Sequence, residues 1–300
     1  MIEKVGYLIE YGGYRLVSFV LRLPSLTTHW GLAKILAWLN IRVFKIRTRV
    51  VEKNVTEAFK NWTHCQRIDF IKDYWVHQIF FFLDMATTQS SHFPLLNKRV
   101  SHKMGRVEWP RSEISSMKAA FSQTFKNSGK GIFLAGHFGN FILATRYVNF
   151  NVCPIVGIVK RQKNYLIHRH FYKKFQDEKL LVLESRSHLK DILTLNYPEP
   201  YWMGIMFDQR AGRSGLMIDL LGRPASTARG CAHLIKSYNL PVMFGHMMLR
   251  PDLNYCINLV EIKFECNLEE QELLKYFNQI LETFIIKFPK EWFWVHKRWK

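Results

Sequence analysis

The sequence predicts an α/β fold in which helices flank a central, largely parallel sheet. Two observations lead to this fold class: short apolar runs alternate with amphipathic stretches over the second half of the chain, and no linker rich in Ser, Gly or Pro interrupts them. The apolar runs predict strands at 132–135, 152–160, 179–183, 202–207, 216–221, 241–249 and 255–264. The amphipathic stretches predict helices at 141–150, 165–176, 187–195, 229–238 and 268–288.

The composition is typical of a single large domain. The chain has 300 residues, of which 48% are hydrophobic, so it can bury a core without disulfide bonds. Before the alternating region, the pattern predicts helices at 51–60, 67–85 and 112–127 and an irregular segment at 90–110. The five cysteines include no Cys-x-x-Cys pair, so we expect reduced thiols and a cytoplasmic environment.

The first fifty residues are apolar, but charged side chains interrupt them. No run reaches the ~18 uncharged apolar residues that a membrane-spanning helix requires. The interrupting residues include Arg15, Arg22, Lys34 and Arg42. We therefore expect residues 1–50 to form amphipathic helices that lie in one leaflet of a membrane, and residues 51–300 to form the α/β domain. The alternative is that the N-terminal helices pack on the protein's own core.

The formal net charge of +19 is spread along the chain rather than confined to a tail. Such a field attracts polyanions, which include nucleic acid, an anionic membrane surface and an acidic carrier protein. The sequence shows no zinc-finger spacing or RNP-like strand, so we expect no nucleic-acid partner. His168 and His170 lack a convincing third ligand, and residues 210–215 lack the Gly-Lys-Ser/Thr ending of a phosphate loop. We therefore predict neither a metal nor a cofactor.

A candidate catalytic corner follows the predicted strand 132–135. His137 occupies the turn between this strand and the predicted helix 141–150. A histidine in such a turn can act as a general base, and amide groups beside it can donate hydrogen bonds to a developing oxyanion. We predict His137 as the base and Asn140, with the first amides of the helix, as the donors. Gly139 would let the backbone approach a substrate closely.

Several motifs, in a consistent order, resemble those of the lipid A late acyltransferases, the lauroyl and myristoyl transferases of Gram-negative envelopes. Residues 131–142 are similar to a strand and turn that carry His-x-Gly-Asn-Trp-Glu in this family. Further similar segments are the early helix 49–59, the Asp-Gln motif in 207–215, the Pro-Ala-x-Thr segment in 221–230 and the Trp-x-His-Arg-Arg ending in 292–299. The resemblance implies a glycerolipid-acyltransferase-like fold and attachment to the cytoplasmic face of the inner membrane. It also implies transfer from a carrier-protein thioester to a hydroxyl of lipid A.

The sequence departs from this family at the acidic partner of the histidine. The family has Glu or Asp where this chain has Ile142. Two carboxylates are candidates to replace it, because Glu184 and Asp208 both follow predicted strands, and ligands gather at the carboxyl ends of parallel strands. Each could instead cap a helix or pair with a nearby arginine.

The missing acid also bears on the donor. The ammonium of an aminoacyl thioester makes its carbonyl carbon more electrophilic than a fatty acyl one, so the reaction needs less help from a base. Asp208 or Glu184 could balance the charge of that ammonium. A branch related to the family transfers glycine to lipid A, and we expect a glycyl donor here. The alternatives are ordinary fatty acyl transfer and a catalytically silent lipid-binding homologue.

Basic residues near the catalytic corner are predicted to bind the acceptor, which in this family is a bis-phosphorylated glucosamine disaccharide. Arginine suits this role because its guanidinium can make paired hydrogen bonds to phosphate. The predicted binding residues are Arg146, Arg161, Arg169, Arg210 and Arg213, with Lys163, Arg223 and Arg229 as further candidates.

Overall fold

The fold is taken from a computed structural model, which describes residues 2–20, 25–87, 100–104, 107–109, 129–159, 162–177, 180–184, 201–262, 264 and 268–299. The N-terminal part is helical: α1 (Ile2–Val20), α2 (Leu26–Leu39), a π-helical turn (Asn40–Phe44), α3 (Thr48–Ala58) and α4 (His64–Thr87). The Ser25 side chain accepts a hydrogen bond from the Thr28 amide and so caps α2. None of the described helices is both long enough and apolar enough to cross a bilayer.

Within the described part of the chain, eight strands form one sheet in the order β2-β1-β10-β9-β3-β6-β4-β5. They are β1 (Val100–Met104), β2 (Val107–Trp109), β3 (Lys130–Ala135), β4 (Ile155–Val159), β5 (Leu181–Glu184), β6 (Tyr201–Met206), β9 (Val242–Leu249) and β10 (Tyr255–Ile262). β3 runs parallel to β6 and β9, and β4 runs parallel to β5 and β6. The antiparallel pairs are β1 with β2 and β9 with β10. This mostly parallel sheet confirms the predicted fold class.

Helices and a small hairpin complete the described chain. The helices are α5 (Phe141–Asn151), α6 (Tyr165–Asp177), α7 (Gly230–Tyr238) and α8 (Glu270–Lys287), with 3-10 turns at Gly212–Ser214 and Pro289–Glu291. The hairpin pairs β7 (Leu216–Leu220) with β8 (Arg223–Thr227). A capping box at Glu269 and Glu272 fixes the start of α8, because each side chain accepts from the other residue's backbone.

Both faces of the central strand β3 are buried, which explains its continuous apolar sequence. Successive side chains of a strand point to opposite faces. Ile132 and Leu134 accordingly belong to one apolar cluster with Leu281 of α8. Phe133 belongs to a second cluster with Tyr147 of α5. The core therefore lies on the two faces of the sheet, and the ends of its strands remain available for a site.

The predicted strands and helices agree with the structure to within a few residues where both exist, with two exceptions. The segment 100–109 was expected to be irregular, but it forms β1 and β2. Its sequence places Ser, His and Lys between the terminal apolar residues of β1, so it shows no strand-like alternation. The predicted strand 216–221 forms the separate hairpin rather than part of the sheet. The predicted helices 112–127 and 187–195 lie outside the described residues.

A buried histidine on β9 makes the stability of the fold depend on pH. His246 is 2% exposed, accepts a hydrogen bond from Asn258 and packs 4.0 Å from the ring of Phe284. Burial lowers the pKa of His246 to about 3, and the charge of Lys287 adds to this effect. The imidazole is therefore neutral in the folded protein at neutral pH.

We predict that His246→Gln flattens the pH dependence of unfolding. As pH falls from about 6.5 toward the lowered pKa, the unfolded state takes up a proton that folded His246 does not. The wild type then loses up to about 1.4 kcal/mol per pH unit from this group. Urea unfolding at pH 7 and pH 5 measures the difference, and His64→Gln, at an exposed site, is the control. Equal pH dependence in the wild type and His246→Gln would contradict the assignment.

Candidate active site

The turn between β3 and α5 presents His137. Asn140 ends the turn as the N-cap of α5, because its Oδ1 accepts from the Leu143 amide at 3.1 Å. Gly139 has φ of +49°, and a β-carbon there would lie 2.3 Å from the carbonyl oxygen of Met247. Only glycine is compatible with this conformation and this contact. The sequence of the turn thus fixes where the histidine is placed.

The C-terminal segment, residues 291–298, forms hydrogen bonds to the same turn, although the two are far apart in the sequence. The Phe293 amide donates to the His137 carbonyl at 3.0 Å, and the Gly139 amide donates to the Glu291 carbonyl at 2.6 Å. Phe138 and Trp292 form an antiparallel bridge between the two segments. The backbone on both sides of His137 is therefore fixed by hydrogen bonds.

Asp208 lies beside the imidazole because β3 and β6 are neighbouring parallel strands. Ala135 pairs with Met206, so residues two positions further along each strand meet at one edge of the sheet. Asp208 Oδ1 is 2.6 Å from His137 Nδ1. Asp208 Oδ2 accepts from the His137 amide and from Trp292 Nε1, each at 2.8 Å. The carboxylate is thus buried with three donors around it.

The electrostatics of the pair define the protonation of the ring. Burial alone would raise the pKa of Asp208, but the charge of His137 and the hydrogen bonds from His137 and Trp292 outweigh it and leave this pKa lowered. Asp208 is therefore ionised at neutral pH and can only accept hydrogen bonds. Nδ1 of His137 consequently carries the hydrogen of this contact, and Nε2, which faces the Gln209 amide nitrogen, is the acceptor in the neutral ring.

Nε2 of His137 contacts Gln209 at the opening of the site. The side-chain Nε2 of Gln209 lies 3.0 Å from this ring nitrogen, and an amide nitrogen can only donate. The rings of Phe141 and Phe293 lie 4.8 and 6.0 Å from the imidazole. The His137 side chain is 15% exposed, so a small group can approach it from solvent.

Of the two candidate carboxylates, only Asp208 contacts the histidine among the described side chains. Glu184 ends β5, which lies three strands away from β3. Three strand spacings amount to about 14 Å, more than a glutamate side chain spans. The strand order therefore favours Asp208 over Glu184 as the replacement for the missing acid. Ile142 lies in the first turn of α5 and offers no polar atom.

Two predicted functional residues of the turn face the protein interior instead of a substrate. Asn140 is 3% exposed, and its Nδ2 donates to Asp84 Oδ2 at 3.4 Å. Asp84 also accepts from the Tyr255 hydroxyl at 2.7 Å. The Asn140 amide is thus occupied by capping and by this buried contact, which does not agree with a role as oxyanion donor. At Gly139 the close neighbour is the carbonyl oxygen of Met247, which leaves no space for a β-carbon.

The predicted basic residues fall into different environments. Arg146 is 2% exposed within α5, so its guanidinium lies in the interior rather than on the surface where the sequence analysis placed the acceptor. Arg161 lies outside the described residues. Arg169 is exposed on α6. Arg210 and Arg213 are exposed and follow Asp208 within a few residues along the chain.

The other basic candidates are exposed or paired. Lys163 is exposed. Arg223 forms an ion pair with Glu57, and Arg229 pairs with Glu270 at 2.8 Å. These two arginines therefore stabilise contacts within the protein.

Sequence reasoning assigned no role to several residues that build the site. Trp292 and Gln209 contact Asp208 and His137 as described above, and His296 Nε2 accepts from the Arg210 amide at 3.0 Å. Arg298 is buried, donates to Ser226 and donates to Thr227 Oγ1 at 2.7 Å. The sequence held a signal for them, since Gln209 belongs to the Asp-Gln motif and the other three belong to the segment 292–299 that carries the Trp-x-His-Arg-Arg ending. Those motifs do not reveal which atoms meet.

We predict that Asp208→Asn lowers transfer activity about ten-thousand-fold, the loss seen when the orienting acid of a serine-protease triad is neutralised. Asparagine keeps the shape but turns an N–H group toward one of the three donors. Glu184→Gln is the matched control and should stay within a few-fold of wild type, because Glu184 ends a distant strand. Initial rates measure both, with thermal unfolding as the test of folding. An active Asp208→Asn variant would contradict the pairing.

A family model of known proteins covers every residue of the site described above. The family model of the bacterial lipid A biosynthesis acyltransferases matches residues 4–300, almost the whole chain. No curated protein matches the chain. The family match includes the His137 turn, the Asp-Gln motif and the C-terminal segment that together form the site. The chain therefore belongs to the bacterial lipid A biosynthesis acyltransferase family.

Proposed function

We propose that the protein transfers an acyl-type group from a carrier-protein thioester to a hydroxyl of lipid A. Family membership supports acyl transfer in lipid A biosynthesis. The observation that carries the proposal is the contact of 2.6 Å between Asp208 and His137 Nδ1. This contact supplies an orienting carboxylate although Ile142 occupies the family's acidic position. A base with a free Nε2 lone pair is what the reaction requires.

The chemistry follows from this pair. Nε2 of His137 takes the proton of the acceptor hydroxyl while its oxygen attacks the thioester carbonyl carbon. A tetrahedral oxyanion forms, and Asp208 stabilises the imidazolium. When the intermediate collapses, the carbon–sulfur bond breaks, and the imidazolium returns its proton to the leaving thiolate. The products are an ester of the acceptor and the free thiol of the carrier.

Charge near the site supports a phosphorylated acceptor and an acidic carrier. Arg210 and Arg213 follow Asp208 in the chain and are exposed, so their guanidinium groups are available to bind phosphates of lipid A. The net charge of +19 favours binding to an acidic carrier protein and to an anionic membrane. We propose both as partners.

For the donor we propose a glycyl group, and Ile142 is the supporting feature. An aminoacyl carbonyl needs less help from a base, which is consistent with the loss of the family's acid. The two oxygens of Asp208 accept three hydrogen bonds, which occupy most of the acceptor sites that an ammonium would need. A fatty acyl donor is the second candidate, and the His137–Asp208 pair favours it by restoring an oriented base.

We predict that lipid A from cells carrying the gene is heavier than lipid A from a deletion strain by one acyl-type group. Mass spectrometry distinguishes the donors, since a glycine residue adds far less mass than a lauroyl or myristoyl chain. Complementation with His137→Ala should leave lipid A unmodified, because the proton acceptor is lost. An unchanged mass in the deletion strain would refute both donors. Full modification by His137→Ala would favour a catalytically silent binding protein in the modification pathway.

The N-terminal helices expose an apolar face that suits the proposed attachment to the inner membrane. α1 packs on α6 through Tyr7 and Tyr14, whose rings contact Tyr165 and Phe171. Its other face exposes apolar side chains at Val5, Leu8, Ile9 and Leu16. The N-terminal helices thus contact the rest of the protein on one side, and the expected lipid contact is the other side.

A turn at residues 42–47 presents apolar and basic side chains together. All six are exposed: Arg42, Val43, Phe44, Lys45, Ile46 and Arg47. Asn40 pins this turn, since its side chain accepts from the Ile46 amide at 3.0 Å and donates to the Ile46 carbonyl. Apolar side chains with flanking cations suit the interface of an anionic bilayer.

We predict that Ile46→Asp weakens binding to vesicles containing phosphatidylglycerol about tenfold, as the loss of one buried isoleucine implies. Ile286→Asp on α8 is the matched control, because Ile46 and Ile286 are 64% and 62% exposed. Co-sedimentation measures binding, which should be weaker on neutral phosphatidylcholine vesicles and at high salt. Equal binding by Ile46→Asp and wild type would contradict the assignment of this turn.

A further inference from the structure

We propose that Gln209 is a catalytic residue whose side-chain N–H group donates a hydrogen bond to the oxyanion of the tetrahedral intermediate. This inference rests on the proposed acyl transfer, and it assigns a function to the second residue of the Asp-Gln motif. It also supplies the donor that the sequence placed at Asn140, whose amide is occupied elsewhere.

The position of the amide relative to the reacting atoms supports this role. Gln209 Nε2 lies 3.0 Å from His137 Nε2, the atom that must accept the proton of the hydroxyl. A reacting hydroxyl has to come within about 2.6–3.2 Å of the same nitrogen. It therefore displaces the amide from the ring, and the displaced amide remains beside the hydroxyl oxygen. The carbonyl carbon under attack lies next to the hydroxyl oxygen. The carbonyl oxygen therefore comes within reach of the Gln209 amide.

The backbone around Gln209 is fixed while its side chain can turn. On one side, Asp208 accepts three hydrogen bonds from His137 and Trp292. On the other side, the Arg210 amide donates to His296 Nε2 at 3.0 Å. Only the side chain has to turn when the hydroxyl enters, and the fixed backbone keeps the amide within reach of the oxyanion that then develops.

Each proton and electron pair in the step moves between the substrates and His137. The hydroxyl proton moves to His137 Nε2, a carbon–oxygen bond forms, and the carbonyl electron pair moves to the oxyanion. The Gln209 N–H group donates to that oxyanion without losing its hydrogen. Collapse of the intermediate restores the carbonyl, breaks the carbon–sulfur bond and sends the imidazolium proton to sulfur. Gln209 can then donate to the ring nitrogen again.

Steady-state kinetics of the full-length protein test the assignment. With a carrier-protein thioester and lipid A in mixed micelles, Gln209→Ala should lower kcat about 10²–10³-fold, the usual loss for one oxyanion donor, with little change in KM. Gln209→Glu should lose at least as much, because the isosteric carboxylate has no hydrogen to donate and repels the oxyanion. Gln279→Ala, at an exposed position on α8, is the matched control and should retain wild-type kcat.

Several results would overturn the assignment. An unchanged or increased kcat in Gln209→Ala would show that the amide only occupies the ring nitrogen at rest. A loss confined to KM would show a binding role instead. If the alanine variant unfolds early in a thermal melt, the isosteric glutamate variant decides, and wild-type kcat in that variant contradicts the proposal. A wild-type protein without transfer activity would refute the proposed function, whereas an active wild type with unaffected Gln209 variants would refute the role of Gln209 alone.

Discussion

The hydrogen bond between His137 Nδ1 and Asp208 is the interaction on which the site depends. It exists because β3 and β6 are adjacent parallel strands whose carboxyl ends meet, so that two residues separated by about seventy positions come into contact. The bond determines which ring nitrogen carries a hydrogen, and it leaves the other nitrogen facing the opening. A chain that lacks the family's acid at Ile142 can thus still present an oriented base.

The C-terminal segment, residues 291–298, supplies further contacts that hold the site together. It bonds to the backbone of the His137 turn on both sides, supplies the Trp292 donor to Asp208 and holds Arg210 through His296. Arg298 anchors the segment to β8, and burial lowers the pKa of this guanidinium to about 10, which still leaves it charged at neutral pH. The site is therefore assembled from three distant parts of the sequence, and each restrains the others.

The sequence predicted the α/β class and most strand positions, because buried parallel strands are continuous apolar runs that local patterns reveal. Local patterns limited the candidates for the replacement acid to Glu184 and Asp208. They could not distinguish the two, since the order of strands in a sheet is a non-local property. Asn140 and Gly139 were assigned to the substrate because their chemistry suits it, whereas capping and packing direct them inward. Gln209 received no role because a glutamine has no distinctive chemistry until its contact with the imidazole is known.

The central claim is that the resting imidazole carries its hydrogen on Nδ1, bonded to Asp208, with Nε2 as the acceptor. Nitrogen-15 and proton NMR of the protein labelled at histidine measures this tautomer directly, and the His137→Ala variant identifies the signal. We expect a protonated Nδ1 with a strongly deshielded proton that disappears in Asp208→Asn, and an Nε2 that carries no hydrogen in the neutral ring. A resting enzyme whose His137 hydrogen resides on Nε2, with the spectrum unchanged by Asp208→Asn, would contradict it.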